Sequence, residues 1–426
     1  MKNLLERIKQ LAREGLFHIF GSSVIAKVGG MISSVVAIRL LSKATYGSYV
    51  DAENLYGYAA IFIGLGIHTA MIQYCCENIS ETRRTALYRY SLKIGMLGNF
   101  LLLPVILGFA ALKYFNGDTL QAQYLAILSL LPFFAYADQY LQLVLRVKRK
   151  NTIFARTNII YTTTYVSCNV VLTILWGAPG LLISQYVAHL IGALHSAYVL
   201  RKENFFRQVQ TNREKLDRND KREYLSYSLI CAVTTFASNA LVLLDVTCLS
   251  LVLGDTEVLA EYKVAATLPL ALAFVPKNLT LFYYPKLVQA FSEGMKRGIA
   301  EVRQMEKFSF LVNGGIFVCL QLFAPLIIWI LYGERYMNVV PIFRILSINY
   351  FMDAIRVITS NTIAVLKKVK VNLYFSILSG LLKIGLNIWL IISYGSMGAA
   401  FATLAVTVCI VILNTVYLQW NYKRSE

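Results

Sequence analysis

The chain has 426 residues, of which 57% are hydrophobic and only 15% charged, and its mean hydropathy is +0.57. Soluble domains carry about 25% charged residues, so an ordinary soluble protein is excluded. The net charge of +18 is not a nucleic-acid signal either, because the basic residues sit in short breaks between long apolar runs.

A run of about 20 apolar residues crosses about 30 Å of hydrocarbon as a helix, and the chain reads as a series of such runs. Residues 1–15 come first, with Leu4, Leu5, Ile8, Leu11 and Ala12 on one helical face and Lys2, Arg7, Lys9 and Arg13 among the polar positions. They predict an interfacial helix on an anionic leaflet and do not have the pattern of a removable signal peptide. Six spans are predicted near Leu16–Leu41, Tyr49–Tyr74, Tyr88–Leu112, Leu120–Leu145, Thr152–Trp176 and Leu181–Leu200. Residues 201–223 then carry eight basic and five acidic side chains and read as a cytosolic linker. Six more spans follow near Tyr224–Leu253, Val258–Tyr284, Phe308–Leu331, Met337–Val365, Val371–Ile392 and Ser396–Trp420. The expected fold is thus an all-α integral membrane protein of about twelve transmembrane helices in two six-helix halves, 16–200 and 224–426, the second ending in a short tail.

Basic residues set the orientation of such a bundle. With the N-terminus in the cytosol, the inner segments hold 30 of the 41 Lys and Arg, and the outer loops hold three, Lys43, Lys113 and Arg335. Both termini are therefore expected in the cytosol.

The halves carry traces of a repeat. Tyr49 and Ala52, after the first span, correspond to Tyr262 and Ala265, after the seventh, at an offset of 213. Parallel six-helix repeats are a known transporter plan, with the substrate path between them. Arg39-Leu40-Leu41-Ser42 followed by Tyr46-Gly47-Ser48-Tyr49 resembles the corner after the first helix of MOP-superfamily polysaccharide exporters, the Wzx-type O-antigen flippases. Asp245, the Glu261-Tyr262-Lys263-Val264-Ala265 corner and Tyr284-Pro285-Lys286 are similar features of the second half. The resemblance implies a flippase of the bacterial inner membrane that moves undecaprenyl-diphosphate-linked oligosaccharide outward for O-antigen and lipopolysaccharide assembly. It also implies a polysaccharide polymerase and chain-length machinery as further partners, besides membrane lipid, with no nucleic acid.

The spans contain eight basic and six acidic side chains. A charge at bilayer depth costs about 3 to 17 kcal/mol unless it faces a cavity or a partner. Lys27, Arg356 and Lys383, with Lys277 as a less central member, form the expected cationic surface for the diphosphate. A guanidinium holds phosphate through two parallel hydrogen bonds, whereas an ammonium is a mobile point charge. The competing reading neutralises Arg356 with Asp353 at i and i+3 and lets the lysines snorkel. Arg39, Asp51 and Glu53 lie at the outer ends of adjacent spans and are expected in an outer gate. Asp51, Asp245 and Asp353 are candidates for H+ or Na+ coupling, the ion being left open. The four histidines, His18, His68, His189 and His195, form no site in the sequence, and the seven cysteines read as small buried hydrophobes.

Two rival functions remain. A MATE-like cation or drug antiporter would want a carboxylate-dominated cavity, which the charge count disfavours. A polytopic lipid-linked sugar polymerase or glycosyltransferase would want a long outer loop, yet Ser42–Ser48 and Lys113–Thr119 have seven residues each. No catalytic constellation, metal cluster or cofactor motif is legible.

Overall fold

The computed structural model describes residues 16–425 apart from 78 and 213, so the expected helix over 1–15 lies outside the described residues. The described elements are helical. They run α1 (Leu16–Leu40), α2 (Lys43–Ala60), a 3-10 turn (Ile63–Gly66), α3 (Ile67–Cys75), α4 (Glu81–Phe115), α5 (Thr119–Leu128), α6 (Leu131–Val147), α7 (Asn151–Trp176) and α8 (Ala178–Lys202). Then come α9 (Phe205–Thr211), α10 (Arg218–Leu253), α11 (Thr256–Leu272), α12 (Phe274–Glu293), α13 (Met295–Leu322), α14 (Ala324–Tyr332), a second 3-10 turn (Glu334–Val339), α15 (Val340–Val365) and α16 (Val369–Ser425). Among the described residues six helical stretches are long and apolar enough to cross a membrane, or up to eight if each bent pair is one span. α15, which carries Arg344, Asp353 and Arg356, is not among the six.

Contacts divide the chain into two compact units, Met1–Ala240 and Leu241–Glu426, with the boundary inside α10. The first turns of α10 belong to unit 1 because their polar groups are satisfied there. Tyr224 Oη and Ser91 Oγ share a 2.6 Å hydrogen bond, and Ser228 Oγ donates to the Leu65 carbonyl.

In unit 1 the predicted second span is broken. Gly64, Leu65 and Gly66 all have positive φ, 65°, 51° and 75°, which glycine adopts without strain. Asn99 bridges the break, since its Oδ1 accepts from Gly64 N at 3.2 Å and its Nδ2 donates to the Pro132 carbonyl at 3.1 Å. A Cβ at Gly64 would lie 2.3 Å from the Tyr136 ring, so the missing side chain also lets α6 approach. α1 approaches α7 in the same way at Gly29, where a Cβ would meet Thr162 at 2.4 Å. Small residues at such crossings are how apolar helices pack when lipid offers no hydrophobic drive.

In unit 2, Leu287, Val302, Met305 and Ile358 of α12, α13 and α15 form a buried cluster. Polar groups tie the remaining helices. Tyr350 Oη donates to Asn313 Oδ1 at 2.7 Å, and Asn414 Nδ2 donates to Thr359 and Ser360 hydroxyls at 3.1 and 3.0 Å.

Corners of the two units correspond by position. Ser42 caps α2 by accepting from Thr45 N, and Asp255, 213 residues on, caps α11 by accepting from Glu257 N. Each satisfies one of the unbonded amides of a helix start. Gly177 between α7 and α8 and Gly395 within α16 share φ and ψ, 63° and −139° against 58° and −136°. A Cβ at Gly180 or Gly398 would lie 1.9 or 2.0 Å from a backbone carbonyl, so both tight corners require glycine.

Candidate functional site

Four aspartates within the helices are each paired with a basic side chain of the same unit. In unit 2, Asp245 of α10 is the centre of a buried network. Its Oδ2 accepts from Tyr262 Oη at 2.8 Å, Thr403 Oγ1 at 2.9 Å and Lys383 Nζ at 3.1 Å, and its Oδ1 accepts from Asn387 Nδ2 at 3.0 Å. Lys383 Nζ also donates to the Leu241 carbonyl at 2.8 Å. Lys383 is only 8% exposed and Asn387 fully buried, so this ammonium is charge-matched and hydrogen-bonded by its own unit. A buried charge is tolerated under those conditions and not otherwise.

That placement separates the four residues expected to receive a diphosphate. Lys383 is held by Asp245, whereas Arg356 is held by Asp353, Nε and Nη2 lying 2.7 and 2.6 Å from Oδ1. The Arg356 side chain remains 39% exposed, so its remaining donors are accessible. Lys277 of α12 and Lys27 of α1 are exposed. Lys27 belongs to unit 1 and the other three to unit 2.

Two of the residues expected in an outer gate lie on α2 and the third on α1. Asp51 of α2, with a 2% exposed side chain, faces Lys113 at the end of α4, with Nζ 2.7 Å from Oδ2 and 3.1 Å from Asp118 Oδ2. Arg39 is exposed, and Glu53 is half-buried with Tyr49 donating to it. Glu261, at the matching corner of unit 2, accepts from Asn338 Nδ2 at 2.5 Å.

A fourth pair escaped sequence reasoning altogether. Asp138 of α6, with a 2% exposed side chain, meets His189 of α8, Oδ2 lying 3.0 Å from Nδ1. Asp138 Oδ1 accepts from Gln142 Nε2 at 2.8 Å. The two residues are 51 positions apart on different helices, so no local spacing joins them. The histidine expected to be a scattered structural residue is thus the partner of a buried carboxylate. His195, further along α8, shares a 2.9 Å hydrogen bond with Thr157 Oγ1. Tyr136 and Tyr140 of α6 donate to the Ser91 and Tyr88 carbonyls at 2.6 and 3.0 Å.

Unit 1 also contains a polar cavity of about 930 Å³ among the starts of α4, α7 and α9. Arg84, Lys148, Arg149 and Lys150 line it with Glu81 and Glu203. Lys148 and Lys150 both face Glu203, and Arg84 faces Glu81. Burial holds the Lys148 ammonium below the usual lysine range, against the opposing pull of Glu81. Among the described residues no group of three His, Cys, Asp or Glu side chains is placed to hold a metal ion.

Residues 12–276 match the family described as "Polysaccharide biosynthesis protein". A Shigella flexneri protein named "Putative O-antigen transporter" is 27% identical over 195 residues, an alignment spanning 45% of this chain and 44% of that protein, so less than half of the relative is covered. An inward-facing multidrug resistance MATE family transporter of the MOP superfamily superimposes with a TM-score of 0.77 at 11% identity, over 94% of this chain and 95% of that one. The lipid II flippase MurJ in an inward closed conformation superimposes with a TM-score of 0.72 at 14% identity, over 94% and 87%. At those identities the likeness shows the fold alone. The chain belongs to the polysaccharide biosynthesis protein family and has the fold of MOP-superfamily transporters.

Proposed function

We propose that this protein is a flippase that carries undecaprenyl-diphosphate-linked oligosaccharide from the cytosolic to the outer leaflet of a bacterial inner membrane by alternating access. The observation that carries the reading is the family match over residues 12–276, on a chain whose helices are built to lie in a membrane. The relative named for O-antigen transport points to the same substrate class.

In this reading the helices form twelve spans in two six-helix halves with both termini in the cytosol. The helix bounds support it, because Gly395 divides α16 into two lengths that each suffice for a crossing and α2 with α3 supply one broken span. The corresponding corners of the halves support it as well. Lys27, Lys277 and Arg356 receive the diphosphate, while Lys383 contributes only if its bond to Asp245 opens. The polyprenyl tail stays in lipid. Moving an anion outward from the negative cytosolic side gains about 2.3 kcal/mol per charge per 100 mV, so a diphosphate with about two charges gains about 4–5 kcal/mol. Transport needs no bond to be broken, in keeping with a carrier and not a polymerase, although polymerase and chain-length proteins are natural neighbours for its product.

The fold admits a second reading, a MATE-like cation or drug antiporter, favoured by the structural likeness to a multidrug transporter. A deletion strain distinguishes the two. Accumulation of lipid-linked sugar on the cytosolic face, with unchanged efflux of a fluorescent cation, is expected. The opposite pattern would reassign the protein to cation export.

A further inference from the structure

Four aspartates within the helices are held by a basic side chain of their own unit. Asp51 has Lys113, Asp245 has Lys383, Asp353 has Arg356 and Asp138 has His189. Lysine and arginine ordinarily keep their charge across the physiological range. Imidazole is the side chain whose ordinary charge change falls between about pH 5 and 8. Of the four pairs, one has an imidazole where the others have an ammonium or a guanidinium.

We infer that the Asp138–His189 pair of unit 1 is a proton-binding site, and that the ion coupled to transport is a proton carried on the His189 imidazole. The inference rests on the flippase reading for its transport step, but the binding site stands on the geometry of the pair.

The surroundings fit a single labile proton. His189 Nδ1 faces Asp138 Oδ2, so Nδ1–H donates to the carboxylate and the second ring nitrogen, Nε2, is the position that exchanges a proton with water. With the proton bound, imidazolium and carboxylate form a neutral pair. When it leaves Nε2 for water, a carboxylate with a 2% exposed side chain remains without a countercharge. An unpaired buried charge is costly, so the deprotonated pair favours an arrangement that admits water. That preference converts proton occupancy into a bias between conformations.

The site is also shaped for the carboxylate. Gly192 stands one turn beyond His189 on α8, and a Cβ there would lie 2.7 Å from Asp138 Oδ1. Along α8 the pair lies about 20 Å from Lys202, near the middle of the helix. The proton is thus held far from either helix end.

Other titratable groups near the pair leave it as the variable one. From α7, Tyr161 lies 4.8 Å from the imidazole between ring centres and within electrostatic reach of Asp138, and Tyr165 stacks on Tyr161 at 6.3 Å. From α2, Tyr56 and Glu53 act on those tyrosines. On α6 itself, Tyr136 and Tyr140 donate away from the pair to α4 carbonyls, and His68 of α3 meets the edge of Tyr136. On α8, Tyr186 donates to the Ile127 carbonyl of α5, and His195 is engaged by Thr157 and feels Arg156. Among the described residues no lysine or arginine forms an ion pair with Asp138.

Two measurements test the inference on the full chain. The first needs no substrate. Histidine ring signals of the isotopically labelled protein in detergent are followed by NMR from about pH 5 to about pH 9, with the His189 signal assigned by its loss in His189→Gln. A titrating His189 signal whose course changes in Asp138→Asn is expected. A signal that does not titrate, or an identical course in Asp138→Asn, overturns the site.

The second uses proteoliposomes and lipid-linked oligosaccharide extracted from bacterial membranes. An imposed pH gradient is expected to accelerate translocation by about tenfold or more in the native protein, within ordinary coupling free energies. His189→Lys, which keeps a basic side chain beside Asp138, is expected to lose that acceleration. Should His189→Lys not fold, His189→Gln is the second variant, with the same expectation. Acceleration equal to native in a folded variant overturns the coupling role, and Glu53 becomes the next carboxylate to examine. Absence of any translocation by the native protein, with the NMR titration intact, instead contradicts the flippase reading and leaves the proton site standing.

Discussion

Asp245 in unit 2 and Asp138 in unit 1 are both buried carboxylates inside apolar helices, with exposures of 6% and 1%. Asp245 of α10 collects four donors from α11 and the two lengths of α16, one of them the Lys383 ammonium. Asp138 collects two, a glutamine amide and an imidazole. The first arrangement fastens helices together through an ammonium, and the second places an imidazole against the carboxylate. Position in the repeat sharpens the contrast. Asn169 and Asn387 are 218 residues apart and both fully buried, but Asn387 serves Asp245 whereas Asn169 meets Tyr165. The residue 213 positions before Asp245 is Ile32, which has no charge to balance. Positions that correspond in the two units thus carry different electrostatics.

The largest expected effect breaks the fixed pair. Asp245→Ala leaves the Lys383 ammonium buried without its carboxylate, and should destabilise the protein by about 3–5 kcal/mol. Thermal unfolding in detergent reads it, and adding Lys383→Met should recover most of the loss. A melting temperature unchanged by Asp245→Ala would mean that the network is not a fastening.

A smaller effect is expected when the responsive pair is broken. Asp138→Ala removes the carboxylate that His189 Nδ1 faces, so the expected penalty is that of an unsatisfied donor, about 1–3 kcal/mol. The comparison predicts the order of the two substitutions. A loss at Asp138 as large as that at Asp245 would erase the distinction between them.

The smallest effect sharpens the description of the responsive site. Gly192→Ala places a methyl where the Asp138 carboxylate lies, and overpacking of this kind costs about 1–3 kcal/mol at most, less here because the carboxylate can shift. The informative reading is the pH dependence of translocation, which should change more than stability does. If both stay as in the native protein, the close approach at Gly192 has no bearing on the pair.

Much of this architecture was legible from residues, for identifiable reasons. Helices could be placed because a membrane demands long apolar runs, and Tyr49 and Ala52 announced the corner that recurs at Tyr262 and Ala265. Asp353 with Arg356 was readable because three residues apart means one helical face. Gly177 and Gly395 were missed, since the offset there is 218 and the surrounding residues differ, although two glycines three positions apart at each site carried a signal. The pairs Asp51 with Lys113, Asp138 with His189, and Asp245 with Lys383 join residues 51 to 138 positions apart. Which faces of separate helices meet is decided by packing, and a single sequence does not encode that in any local spacing. Hence the lysine expected to await substrate at position 383 lies in a buried ion pair, and a histidine expected to be incidental holds a carboxylate.

The central claim is movement of a lipid-linked saccharide, and reconstitution tests it most directly. Purified protein is placed in liposomes with undecaprenyl-diphosphate-linked oligosaccharide, and the fraction reaching the opposite leaflet is measured with a glycosidase that cannot cross the membrane. Access to sugar rising with time above protein-free liposomes, and falling to that background with Lys27→Glu in a protein of native melting temperature, is the expected result. Access no faster than in protein-free liposomes, from protein that is folded and inserted, would contradict it.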